Sequence, residues 1–421
     1  MTSAELIRWS SLHERRSRTG GWLGAPVAIA AIAGAALAAW VGWRTGAGVE
    51  SASHAWLAGA LAAFGLAFLR VPFLIYWRSD AGFLATLPLD GPALFDSAVW
   101  RCIRAAGATL LAVTIAAAPL ARVSLELVVR HVALGVVLAT VAALLMPAIV
   151  IGTASWVALD EGAHAMGAIR AATAAAGSSA QIANRGSASA LLGAVPGLAA
   201  AVLIVLLIVA SPWLYGHRAS LPAGVLFAVI AIGGVAALVA ARARIARMMP
   251  AILRDVSALD RQRLATLEIH PPTAIERGIA AVIGEAALPY SKDARLMRRR
   301  YPMAFALGAL MFLVLVILAF SRPPDPVPWF TAVLTGATLY GIALAGRLQR
   351  PPIELGRLSR TLPISAAAFG RAKVAWLCGW WTIFVAAPAL FSAARQAQPM
   401  PGLALLGGGT LTVIIAAFIR R

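Results

Sequence analysis

The stretch LDEGAH at 159–164 puts Asp160, Glu161 and His164 within one helical turn, the best metal-like cluster in the chain. Carboxylate and imidazole at that spacing are groups a divalent cation takes, but the set ends an apolar run, where the simpler reading is a solvated helix terminus. The six histidines (13, 54, 131, 164, 217 and 270) do not pair at i, i+4, which argues against a bis-histidine haem. Arg130 and His131 are the only adjacent ionisable residues inside an apolar run. They would suit an anionic substrate or headgroup, yet Arg130 stands near the run's outer end, where a guanidinium snorkels to the interface. No His-Glu-x-x-His, no Asp-x-x-Asp and no Gly-x-Ser-x-Gly occurs, and neither lysine, Lys292 nor Lys373, closes a phosphate-cradling Gly-x-x-x-x-Gly-Lys-Ser/Thr loop. The expectation is a chain that is no enzyme and carries no cofactor or metal; if ATP drives it, a separate P-loop ATPase binds the ATP.

The elements around these residues are apolar. Hydrophobic residues make up 61% of the 421 and charged ones 13%, far from a soluble domain. Runs of Ala, Leu, Val and Gly long enough to cross a bilayer core recur along the chain, without the alternation of a barrel strand. The expected fold is all-α: a polytopic integral membrane protein of about ten transmembrane helices. Their expected ranges are 22–43, 54–76, 99–120, 130–157, 190–211, 221–243, 302–320, 328–347, 371–390 and 402–419, with Pro147 a candidate kink in the long fourth span. All 17 carboxylates fall in loops or at span ends, so no intramembrane acid is available to carry a coupling proton.

The net charge of +19 is a topology signal. With ten spans, the loops sharing a side with both termini carry, on or beside them, 29 of the 36 Lys and Arg. By the positive-inside rule both termini are cytoplasmic, in a chain expected to sit in a bacterial plasma membrane with anionic lipid as its charge partner rather than nucleic acid. The expected layout is an interfacial helix at 1–21, a first bundle of about six spans at 22–243, a basic linker and entry helix at 244–301, and a second bundle of about four spans at 302–421. Arg101 and Arg104 read as interfacial anchors or coupling contacts. Cys102 and Cys378 read as small apolar residues, and most tryptophans as interface anchors.

One phrase is written twice. ATLPLDGPALFD (85–96) and RTLPISAAAFGR (360–371) align Leu87 with Leu362, Pro88 with Pro363 and Asp90 with Ser365. Proline drives its preceding residue out of the α region, and an Asp or Ser two residues on stands at an N-cap. Each copy therefore reads as an elbow leading into a capped helix. Each follows a basic lead-in and two spans, a partial internal duplication.

The basic SKDARLMRRRYP entry, two spans and then LGRLSRTLPISAAAFGRAKVAW resemble the membrane subunits of type-2 ABC exporters. The resemblance implies that the elbows are coupling helices for a separate ATPase, carried by Leu87, Pro88, Asp90 and Phe95 and by Leu362, Pro363, Ser365, Phe369 and Arg371. It implies an entry-helix role for Lys292, Asp293, Arg295, Arg298 and Arg299, and a hydrophobic or amphipathic substrate. Asp90 and Asp96 depart from the basic residues usual in such elbows, and the six-plus-four layout departs from the common six-span permease. A non-transporting scaffold, a lipid-modifying enzyme and a sodium-coupled or facilitative carrier stand as alternatives, and a homodimer is equally consistent with the chain.

Overall fold

The computed structural model describes residues 4–9, 48–76, 84, 87–122, 124–158, 221–250, 252–253, 271–323, 325–349, 364–397 and 399–419. The expected spans 22–43 and 190–211, the LDEGAH set and linker residues 254–270 lie outside them. Among the described residues there is helix and no strand, and eight stretches are long and apolar enough to cross a membrane. Each matches one of the other eight expected spans. The chain is a polytopic helical membrane protein.

In chain order the helices are α1 (Gly48–Ile75), α2 (Gly91–Ala117, with a 3-10 end Ala118–Arg122), α3 (Leu125–Thr140), α4 (Met146–Ala158), α5 (Leu221–Ile245, with a 3-10 end Ala246–Met248), α6 (Ala274–Val282), α7 (Ala287–Arg300), α8 (Pro302–Ser321), α9 (Val327–Gln349), α10 (Ala366–Trp381), α11 (Ala387–Ala394) and α12 (Pro399–Ile419). Two pairs are continuous rods. A π turn, Val141–Leu145, joins α3 to α4, and another, Thr382–Ala386, joins α10 to α11. In each, the N–H after the turn donates to a carbonyl five residues back, Met146 to Val141 and Ala387 to Thr382. A proline stands two residues beyond each turn, Pro147 after Met146 and Pro388 after Ala387. Proline brings no N–H and its ring crowds the carbonyl four residues back, so a widened turn just before it relieves the ladder. The irregularity expected at Pro147 is thus a π turn ahead of it.

The chain forms two compact units, and their borders cut across the expected bundles. The first takes its described residues from Met1–Gly21, Phe64–Leu111 and Val132–Thr266. Its α5 packs along α4 and the π turn before it, where Gly234 lets Leu144 come so close that a Cβ would lie 2.9 Å from the Leu144 Cβ. The second takes them from Trp22–Ala63, Ala112–His131 and Leu267–Arg421. Its core runs through α7 to α12, with Leu315, Phe330, Leu334, Ala337, Val385 and Ala389 among the buried residues.

Four of the tryptophans read as interface anchors, Trp56, Trp376, Trp380 and Trp381, are buried among helices, whereas Trp329 is 54% exposed. Trp56 Nε1 donates to the Val113 carbonyl at 2.9 Å, Trp380 Nε1 to the Ala304 carbonyl at 2.9 Å, and Trp381 Nε1 to Thr410 Oγ1 at 3.0 Å. A buried indole needs an acceptor for its N–H, and Trp56, Trp380 and Trp381 each find one on another helix.

Candidate coupling elbows

The first elbow lies in the first unit. Leu87 and Leu89 are half-buried, Pro88 and Asp90 exposed. Asp90 immediately precedes α2, and its carbonyl opens the helix ladder by accepting from the Leu94 N–H at 3.2 Å. Three contacts hold the helix that follows. A Cβ on Gly91 would come within 2.1 Å of the Ala246 carbonyl oxygen, so only glycine admits this approach of α2 to the end of α5. Asp96 takes two hydrogen bonds from Arg242 of α5, at 2.8 and 3.1 Å. Arg101, buried, donates to the Leu74 carbonyl at 3.2 Å and to Ser97 Oγ at 3.2 Å. The Leu74 carbonyl belongs to the last turn of α1, which needs outside donors. Arg101 also lines a cavity of about 10 Å³, the size of one water, with Ile75, Leu94, Ala98, Met249 and Leu253. Phe95 is 2% exposed and turned into the unit's core, which corrects its assignment to a partner surface; it anchors the elbow from inside.

The second elbow lies in the second unit, with Leu362 and Pro363 outside the described residues. Ser365 caps α10: its φ and ψ are −64° and 144°, and its hydroxyl accepts from the Ala368 N–H at 3.2 Å. Ser365, Ala367 and Arg371 are exposed, and Phe369 is half-buried.

The entry helix, named separately in the sequence, packs on this elbow. Ala286, just ahead of α7, and Tyr290, Ala294 and Met297 of α7 meet Ala368, Ala372 and Trp376 of α10 in one buried cluster. Lys292 Nζ stands 5.5 Å from the Phe369 ring centroid, a cation–π contact, and Arg371 pairs with Glu285 at 3.6 Å. Asp293 is fully buried, with the Lys292 ammonium 3.5 Å from its carboxylate. Arg295 is exposed. Arg298 pairs with Glu276 at 2.9 Å and donates to the Pro271 carbonyl at 3.1 Å. The Arg299 side chain lies outside the described residues. Burial and the charge of Glu276 push the Tyr290 phenol up to about 12.

Thr273 and Glu276 complete a capping box at the start of α6: Glu276 N–H donates to Thr273 Oγ1 at 3.2 Å, and Thr273 N–H to Glu276 Oε2 at 2.8 Å. Glu276 thereby serves the cap and Arg298 together, fixing the chain that leaves Pro271 against the end of α7.

Each elbow helix runs past one of its neighbours, α10 past the start of α8 and α2 past the end of α1. Trp380 is level with Ala304, the start of α8, so Ala366 to Gly379, about 20 Å of α10 at 1.5 Å per residue, extend past the point where α8 begins. Arg101 is level with Leu74 near the end of α1, so Gly91 to Trp100 extend about 15 Å past it. Asp96 and Arg371 occupy the same position in the two copies, 275 residues apart, and each is ion-paired with opposite polarity. Asp96 is thus held by an arginine of α5.

Elsewhere, Arg130 pairs with Glu126 one turn away, and both are at least a third exposed. His131 is buried, with Nδ1 2.6 Å from the Leu127 carbonyl and its ring edge-on to Trp56 at 4.6 Å. Cys102 is buried and Cys378 exposed, both as free thiols. No cluster of three or more metal-ligating side chains occurs among the described residues. Comparison of the chain with protein-family models, curated proteins and solved structures returns no match.

Proposed function

We propose that this chain is the permease subunit of an ABC exporter, lying in a bacterial plasma membrane with its termini and elbows in the cytoplasm. A separate ATPase docks on the overhanging elbow helices, and its closure moves them to drive a hydrophobic or amphipathic substrate across the bilayer. The observation that carries the reading is the overhang itself. A capped helix continuous with a span extends about 20 Å beyond its neighbour's start, with Ser365, Ala367 and Arg371 exposed and an entry helix bracing it through Lys292 and Glu285. A connecting turn needs no such length or bracing; a strut that receives force does. The first elbow carries the same features: exposed Pro88 and Asp90, and fastenings at Gly91, Asp96 and Arg101. The 29 Lys and Arg on or beside one set of loops support the orientation.

The test is affinity purification from detergent-solubilised native membranes of the unaltered chain and of a Pro88→Glu, Ala367→Glu double variant, matched for membrane level and monodispersity. An ATP-hydrolysing P-loop protein is expected with the unaltered chain and lost from the variant. No such protein with either form would sink the reading.

A further inference from the structure

At the end of α8 far from the elbow, an arginine is seated between two aromatic rings. The Arg395 guanidinium carbon stands 5.1 Å from the Phe320 ring centroid and 5.6 Å from that of Phe391, and the two rings are 6.2 Å apart, tilted by 59°. Phe320 is 64% and Phe391 45% exposed, so the rings make an open corner that holds the charge in place. Cation–π contact uses the ring faces and gives the planar fork of N–H donors no lone pair to bond. Among the described residues Arg395 is not ion-paired.

A second cation shares this helix end. Arg322 closes α8 in the left-handed region, at φ 44° and ψ 60°, the one non-glycine residue of positive φ among the described residues. Helices usually place glycine there, because a side chain is crowded in that conformation. The Arg322 N–H and Gln396 Nε2 both donate to the Leu318 carbonyl, at 3.3 and 3.0 Å. Arg322 and the residue after Arg395 therefore meet at one oxygen. Arg322 is exposed. Asp325, the acid nearest to it in sequence, is turned to α9, where its carboxylate accepts from the Val327 N–H at 3.1 Å.

The surroundings decide what meets these cations. Leu313, Ile317 and Phe320, exposed at i, i+4 and i+7, form one face of α8, and α8 is one of the helices able to cross the membrane. Acyl chains meet that face, and the arginines stand where it ends, at headgroup depth in the leaflet opposite the start of α8. Two cations without an acid between them call for an anion, and the apolar approach calls for one that carries chains. A phosphodiester presents two oxygens to a guanidinium fork, whereas a headgroup with its own ammonium would add a third positive charge. We infer that Arg395 and Arg322 bind the phosphate of an anionic glycerophospholipid, with Phe320 and Phe391 fixing the Arg395 fork and lining the path of the chains. The inference requires only that the chain span a membrane and is independent of the permease reading.

Photolabelling of the unaltered full chain tests it first. The chain is reconstituted in phosphatidylcholine nanodiscs holding a trace of phosphatidylglycerol, or of phosphatidylcholine, with the same diazirine near the glycerol end of one acyl chain, and adducts are mapped by peptide mass spectrometry. On peptides containing Phe320 or Phe391, the phosphatidylglycerol adducts are expected to exceed the phosphatidylcholine ones about tenfold. Equal labelling would mean unselected bulk lipid and overturns the inference. Excess inorganic phosphate is expected to leave the labelling in place; its loss would mean a site for any phosphate in solution, which also overturns the inference.

Variants matched for monodispersity then assign the residues. Arg322→Gln with Arg395→Gln is expected to bring phosphatidylglycerol labelling down to the phosphatidylcholine level. Arg395→Lys keeps the charge but loses the fork, and is expected to retain part of the preference. An undiminished preference in the double glutamine variant overturns the assignment. Because the first comparison uses the unaltered chain, a variant that fails to fold leaves the inference open to refutation.

Discussion

An alanine at position 91 would drive its Cβ to 2.1 Å from the Ala246 carbonyl, a distance no packing tolerates. Because the obstacle is backbone, the end of α5 or the start of α2 must move, and Gly91→Ala is expected to cost about 1–3 kcal/mol, read as a lower midpoint in detergent unfolding. Tyr290 gives a pH test. Its phenol is pushed from 10.0 up to about 12 by burial and by Glu276. The fold therefore favours the neutral phenol, a preference that costs nothing below pH 10 and destabilises as pH climbs from 10 towards 12. Tyr290→Phe should remove that part of the alkaline loss, measured as the difference in thermal midpoint between pH 9 and 11.5. At this scale the sequence was legible where the physics is local. A proline followed two residues later by Asp or Ser announced where both helices begin, at Asp90 and at Ser365, whose hydroxyl caps α10. It could not announce that Phe95 turns inward or that Trp380 seeks the Ala304 carbonyl 76 residues away, because neither depends on neighbours in the chain.

Among the elements, α6 is the most dependent on single contacts, since none of its residues is fully buried. Glu276→Ala removes half of the capping box and the partner of Arg298, and is expected to cost about 1 kcal/mol and to speed tryptic cleavage after Arg277. The clamp between α2 and α5 has a cleaner test. Asp96 is 26% and Arg242 52% exposed at the side chain, so the pair is worth at most about 1 kcal/mol. On the permease reading, Asp96→Arg or Arg242→Asp alone should weaken recovery of an ATPase with the chain, and the two together should restore it. A double variant no better than the singles would show the pair to be incidental. Helix existence was readable from hydropathy for the eight spans that can be compared. The overhangs were not, because Ala366 to Gly379 buries an apolar stripe against α7 and so reads as one run with the span that follows.

For the molecule as a whole, the charge distribution predicts the sidedness. A green fluorescent protein fused at the C-terminus should fluoresce, and an alkaline phosphatase fused there should be inactive; active phosphatase would invert the orientation. The sequence implied bundles at 22–243 and 302–421, whereas the compact units share α1, α2 and α3 between them. Repeats are visible along the chain, but the partition of a membrane bundle is set by contacts between distant helices. At Ala55, Leu120 and Val327, for example, three separate stretches meet in one small cluster.

The length of α10 beyond Ala304 also has a mechanical meaning. Trp380 and Trp381 pin the rod to α8 and α12, and the π turn at Thr382–Ala386 begins at the very next residue. On the permease reading this arrangement serves as a lever with a fulcrum and a compliant joint beside it. An arm of about 20 Å that tilts by about 10° carries Ser365 through about 3.5 Å. Small rotations at the pinned tryptophans become side-chain-sized displacements at the tip, and the same tilt is absorbed on the far side where the helix is already loosely wound.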